Sequence, residues 1–236
     1  MGIVDSLLTG QLTPYATVVG KGGENTVMDG DIMLASGTYG FSELIKLGTK
    51  SPWSHCAMIF RLDSIGRVAL LESVESIGLR AVPISSYVAD YEGDGKPYQG
   101  TVVIARSQAL RRLLDETADN VRKSTEFGFD DLGHPYATQD IAHIAARIAA
   151  GAIGIKDNEA LEPKPGVYIC SEFVDACVRQ IGLEVTPCNF GFVAPSDVAA
   201  FCDKPVARID RAECRAPLAG NAAGARRSST WYRAPP

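Results

Sequence analysis

Two apolar runs, His55-Cys56-Ala57-Met58-Ile59-Phe60-Arg61 and Arg67-Val68-Ala69-Leu70-Leu71-Glu72-Ser73, stand on either side of Asp63-Ser64-Ile65-Gly66. Both are rich in the branched and aromatic residues that suit a pleated surface, and the polar, Gly-ended stretch between them is a turn. A connection this short allows an antiparallel hairpin and excludes a parallel crossover. Working outward, Ile32-Met33-Leu34-Ala35, Gly78-Leu79-Arg80-Ala81-Val82-Pro83 and Gly100-Thr101-Val102-Val103-Ile104-Ala105 read as further extended pieces. A short helix is expected over Ser42–Leu47.

Beyond residue 105 the period changes. Leu110, Leu113, Leu114, Ala118 and Val121 share one helical face, and Asp140 to Ala150 continues as an Ala- and Ile-rich helix with Gly151 at its end. Gly154 to Gly166 reads as a loop. Phe173, Val174, Cys177, Val178 and Ile181 mark one more helix, and Pro195-Ser196-Asp197 starts the last. Strands grouped apart from helices predict an α+β fold, an antiparallel sheet packed against helices, rather than a doubly wound parallel sheet.

The 236 residues hold 46% apolar and 22% charged residues, ordinary values for a domain with a real core. The net charge of −5 argues against a general nucleic-acid binder. Five arginines and one glutamate fall from Arg211 onward, so the tail carries +4 and the rest −9. The tail is also rich in Ala, Gly, Ser and Pro. The division expected is an N-terminal extension over 1–27, a domain over 28–210 and a disordered basic tail over 211–236. The N-terminus shows no signal peptide, and no apolar run approaches the ~20 residues of a membrane span, so a cytoplasmic location is the default expectation. Met1-Gly2-Ile3-Val4-Asp5-Ser6 fits the short myristoylation pattern, which has meaning only where an acyltransferase is present. Oligomeric state is not legible.

Six cysteines in a chain this long do not make a disulfide scaffold, and none form a C-x-x-C pair of the kind that binds structural zinc. Cys56, Cys177, Cys188 and Cys202 read as reduced, mostly buried thiols. Cys170 differs. In Val167-Tyr168-Ile169-Cys170-Ser171-Glu172-Phe173-Val174 it ends an apolar lead and starts a helix. Free backbone N–H groups and the helix dipole favour an anion there, which acidifies a thiol and makes a nucleophile. A thiol nucleophile needs a base, and the chain has three histidines. His143 sits within the Ala/Ile helix and His134 in a turn. His55 opens a strand directly after Pro52-Trp53-Ser54, where a scaffold can hold an imidazole over a cleft. Glu72 ends the partner strand, so the hairpin brings it near His55 as an orienting carboxylate.

These residues carry a resemblance. Gly30-Asp31-Ile32, Ser42-x-x-Ile45, Thr49-x-Ser51, Ser54-His55-x-Ala57-Met58-Ile59, Leu71-Glu72-Ser73, Pro83-Ile84, Gly133-His134-Pro135-Tyr136, Tyr168-Ile169-Cys170-Ser171-Glu172-Phe173-Val174 and Pro195-Ser196-Asp197 resemble, in that order over about residues 28–205, the circularly permuted papain-like amidases, YiiX-like relatives of the NlpC-type cell-wall hydrolases. The resemblance implies a papain-like α+β core and a Cys170–His55–Glu72 site in permuted order. It implies that Tyr136, Ser54 and Ser171 line the substrate site, and that neither metal nor organic cofactor is needed. The expected activity is a thiol hydrolase cleaving an amide bond of a peptide or peptidoglycan fragment. A lipid-directed acyltransferase or thioesterase on the same core, with an acyl-lipid substrate and membrane contact, is the alternative. A non-catalytic binding module is the other.

Overall fold

The computed structural model describes residues 2–75, 77–135, 168–187 and 192–211. Among these, seven strands form one sheet: β1 (Leu12–Pro14), β2 (Ile32–Gly37), β3 (His55–Leu62), β4 (Arg67–Val74), β5 (Gly78–Pro83), β6 (Gly100–Arg106) and β7 (Lys204–Asp210). Their order across the sheet is β1-β7-β6-β2-β3-β4-β5. The helices are α1 (Tyr15–Val19), α2 (Gly40–Thr49), α3 (Ser85–Ala89), α4 (Gln108–Glu116), α5 (Ala118–Asp130), α6 (Cys170–Arg179) and α7 (Pro195–Phe201). The architecture is α+β.

Strand β3 is apolar without alternation because both its faces are covered; Cys56 to Phe60 are all buried. Side chains of successive strand residues point to opposite faces, and the core divides accordingly. Leu34, Cys56, Met58 and Leu71 pack with Phe173 and Cys177 of α6 on one face. Met33, Ala57, Ile59 and Leu70 pack with Tyr87 of α3 and with Tyr98 on the other. Helix α6 is held by Phe173, Val174, Cys177 and Val178, each fully buried; burying such side chains stabilises by roughly 1.5–3 kcal/mol apiece. Asp31, before β2, accepts from Arg106 at the end of β6 through Nε (2.6 Å) and Nη2 (2.7 Å), a buried clamp between neighbouring strands.

The sheet departs from the expected antiparallel arrangement at one edge, where β1 runs parallel to β7; the other pairings are antiparallel. Residues 1–27, expected as an extension, supply this edge strand. They also place Val4 and Val18 in the core, and Trp53 Nε1 donates to Asp5 Oδ1 at 2.8 Å. The single helical face expected from Leu110 to Val121 is broken. Thr117 adopts extended backbone (φ −151°, ψ 143°) and its hydroxyl accepts from Asn120 N at 3.2 Å, so it ends α4 and caps α5. The expected helix 140–150, loop 154–166, Cys188 and nearly all of the basic tail lie outside the described residues. No helix among the described residues is long and apolar enough to cross a membrane.

Candidate active site

His55 is the first residue of β3, and Glu72 is near the end of β4. Met58 lies opposite Leu71, so one further step of the register sets Glu72 across from Ala57, diagonal to His55 on the same face. Diagonal neighbours are within reach of long side chains, and His55 Nε2 lies 2.7 Å from Glu72 Oε2. A carboxylate can only accept, so Nε2 carries the proton and Nδ1 is left to face the other way.

Glu72 is fully buried and has two further donors. Arg80, directly opposite on β5, donates from Nε to Oε1 at 2.7 Å, and the Tyr87 hydroxyl donates to Oε2 at 2.6 Å. Burial alone would push the carboxyl up. The bonds to His55 and Tyr87 and the charges of His55 and Arg80 outweigh it, and the group sits below the usual carboxylate range. The Arg80 guanidinium also lies over the Tyr91 ring at 5.6 Å.

Cys170 is the first residue of α6. Ile169 before it is extended (φ −79°, ψ 166°), and its N–H reaches Glu172 Oε2 at 3.5 Å. The start of α6 is tied to the sheet by Ser73, whose hydroxyl donates to the Tyr168 carbonyl at 2.7 Å. Glu72 and Ser73, adjacent on β4, thus point to opposite faces and steady the imidazole and the thiol respectively.

The groups that act on the Cys170 thiol are the Cys56 side chain and backbone and the His55 ring. The Cys56 thiol contributes most; burial opposes it, the His55 charge and hydrogen bond add to it, and Cys170 lies well below an ordinary thiol. His55 is pulled down by burial but raised more by the Cys170 charge and hydrogen bond and by Glu72, to about 10. Burial, then the Cys170 contact, pushes the Cys56 thiol well up. These shifts favour a Cys170 thiolate beside a His55 imidazolium, with Cys56 kept protonated.

Cys170 and His55 open onto a cleft of about 220 Å³ walled by Tyr39, Phe41, Ile45, Tyr91 and Tyr98, with Glu75 and Glu92 on its lining. The tyrosines pack on one another and on Tyr87 behind them, with centroid separations of 4.8 to 6.5 Å. Two larger clefts, about 420 and 900 Å³, hold neither Cys170 nor His55. Chemistry rather than size marks the site.

Cys170, His55 and Glu72 are therefore brought together. Ser54 reaches the cleft, but its hydroxyl is held in the wall, accepting from Gly37 N (2.9 Å) and donating to Ala35 O (3.2 Å). Ser171, expected to line the substrate site, is fully buried and donates to Val193 O at 2.8 Å, because the second residue of α6 faces the core. Tyr136 lies outside the described residues. His134 is half exposed, its ring lies 3.9 Å from Asp131, and it does not line the cleft that holds Cys170. Arg80, Tyr87 and the role of Cys56 were not read from the sequence. Arg80 was legible in principle, since it sits in the next extended segment with the parity that faces Glu72. Among the described residues, no group of three or more His, Cys, Asp and Glu side chains is placed to hold a metal ion.

No family model matches the chain, and no curated protein does. One solved structure with which it shares 18% identity is described as "metalloprotein yiiX from Escherichia coli O157:H7, DUF1105". The alignment covers 68% of this chain and 69% of that one, with a TM-score of 0.46. A likeness at that level carries nothing about activity or metal content here.

Proposed function

We propose that the protein is a thiol hydrolase that cleaves an amide bond, peptide or peptidoglycan in type, with Cys170 as nucleophile on a permuted papain-like core. The observation that carries this reading is His55 standing between a buried carboxylate at 2.7 Å and a helix-start thiol. Such an arrangement has the parts of an acyl-transfer site: nucleophile, base and orienting acid.

In the proposed reaction the Cys170 thiolate attacks the amide carbon, forming the C–S bond while the carbonyl electrons move to oxygen. The Cys170 backbone N–H, free at the first turn of α6, donates to that oxyanion. The His55 imidazolium gives its Nδ1 proton to the leaving nitrogen as the C–N bond breaks, leaving a thioester. Neutral His55 then takes a proton from water, which attacks the thioester and releases the acid and Cys170. Glu72 holds the ring through Nε2 in both steps, and Arg80 and Tyr87 hold Glu72.

A second reading, a lipid-directed acyltransferase or thioesterase, has its own support. Helix α2 sends Phe41 and Ile45 to the cleft and leaves Leu47, 78% exposed, on the surface. The small cleft with tyrosines and two carboxylates favours the peptide-type amide. Hydrolysis of a panel of peptide amides and acyl thioesters by the wild type and by Cys170→Ala separates the two. Thiol-dependent turnover of amides is expected; turnover of long-chain thioesters alone overturns the amide reading in favour of the second.

A further inference from the structure

Cys56 follows the base His55 in the chain and points to the opposite face of β3, into the core cluster that holds Cys170. The two cysteines share that buried cluster, and the Cys56 side chain and backbone both act on the Cys170 thiol. Neither is in a disulfide. Cys170 lines the cleft, so a small oxidant reaches it, whereas Cys56 is fully enclosed behind it. Cys177 and Cys202 are also buried, but of the three it is Cys56 that acts most strongly on the Cys170 thiol. A cleft-lining sulfur thus shares its buried cluster with a second sulfur that the cleft does not reach.

We propose that Cys170 and Cys56 are a reversible oxidative modification site, in which a hydroperoxide oxidises Cys170 and Cys56 closes a disulfide onto it. This rests on Cys170 being the activated nucleophile of the site. In the first step the Cys170 thiolate attacks the distal oxygen of the hydroperoxide; an S–O bond forms, the O–O bond breaks, and the leaving oxygen takes a proton, giving a sulfenic acid and water or an alcohol. Cys170 is oxidised by two electrons and the peroxide reduced by two. In the second step the Cys56 sulfur attacks the Cys170 sulfur, the S–S bond forms, and hydroxide leaves with the proton that Cys56 gives up, as water. The sulfurs, in one buried cluster, must approach to ~2.0 Å. Once Cys170 is a neutral sulfenic acid, the thiolate charge that holds the Cys56 proton in place is gone. The disulfide stops oxidation before the sulfinic acid, which thiols do not reverse.

The test uses the full chain. Protein is treated with equimolar hydrogen peroxide, quenched with iodoacetamide and mapped by mass spectrometry, before and after dithiothreitol. A Cys56–Cys170 linked peptide is expected, two thiols lost together, and both regained in dithiothreitol. In Cys56→Ala and Cys56→Ser, Cys170 should instead be trapped by dimedone and, without it, pass to sulfinic acid that dithiothreitol does not recover. If wild-type Cys170 goes to sulfinic acid with no linked peptide while still alkylating fastest of the thiols, the switch is wrong and the nucleophile stands. If Cys170 is no faster than Cys177 and Cys202 toward either reagent, the nucleophile itself is wrong and the switch falls with it. The linked peptide is read on the wild type, so the outcome does not depend on either variant folding.

Discussion

The Ser73 hydroxyl donates to the Tyr168 carbonyl at 2.7 Å, joining the end of β4 to the segment two residues before Cys170. Its neighbour Glu72 holds His55 from the other face. Two adjacent residues therefore set the separation between thiol and imidazole. Ser73→Ala is expected to cost only about 0.5–1.5 kcal/mol of stability, yet to slow alkylation of Cys170 several-fold, because the start of α6 loses its register. Urea unfolding and the iodoacetamide rate check the two halves. An unchanged rate would assign Ser73 to packing alone.

Iodoacetamide should modify Cys170 well ahead of Cys56, Cys177 and Cys202 at neutral pH. Burial pushes the last two thiols up, and burial with the Cys170 contact does the same for Cys56; only Cys170 is held down. Timed alkylation followed by peptide mapping reads the order directly. Uniform labelling would remove the thiolate.

The pH profile follows from the same shifts. Cys170 ionises well below the ordinary 9.0, so its alkylation rate should reach its plateau on the acid side of that value. His55 keeps its proton until about 10, so turnover that needs the imidazolium should fall as pH rises through that region. For stability the signs differ. His55, raised from 6.5, contributes fully below 6.5, and its contribution is lost as pH climbs through about 10. Glu72, lowered from 4.5, contributes above 4.5, and its contribution is lost as pH falls through its folded value. Melting temperatures across the range, compared with Glu72→Gln, check both limbs.

Tyr87→Phe keeps the ring in the core and removes one donor to a buried carboxylate. A loss of about 1.5–3 kcal/mol is expected, the range for a bond to a charged group. Glu72→Gln should cost more, about 3–5 kcal/mol, because it leaves the largely buried Arg80 without its counter-charge. Denaturant midpoints of the two variants give the ranking, and equal costs would show that Arg80 finds another partner.

Removal of residues 1–19 should lower the melting temperature by several degrees rather than leave it unchanged. It strips Val4 and Val18 from the core, ends the Asp5–Trp53 bond and uncovers the edge of β7. Thermal unfolding of the truncated chain against the full one is the check.

The central sheet was legible because β3 and β4 are joined by a short turn and carry unbroken apolar runs, a local signal. The edge was not. β1 has three residues, and its partner β7 lies some two hundred positions on, with Pro205 at an irregular point of the ladder where the register shifts beside Ala105. Nothing near either strand announces such a pairing. The α4–α5 break was missed because a threonine inside a helical pattern looks like any helix residue until its hydroxyl turns back on Asn120. In the site, Cys170 and His55 were legible from their places at the junctions of elements, and Glu72 from hairpin symmetry. Arg80 lay one register step further, across β4–β5, but Tyr87 was not legible, since its bond to Glu72 depends on the packing of α3. Cys56 reads from sequence as a reduced, buried thiol; its place in one cluster with Cys170 depends on how α6 packs against β3.

The parallel pairing of β1 with β7 also governs when the molecule can come into being. Strand β1 has its partner at 204–210, so on the ribosome it waits, unpaired, until that distant segment has emerged. Contacts so distant in sequence form slowly and late. His55 and Glu72 emerge early, and Cys170 must follow before a thiolate has its partner. A nascent chain stalled before residue 170 thus holds His55 and Glu72 without Cys170, and the sheet stays open until β7 arrives.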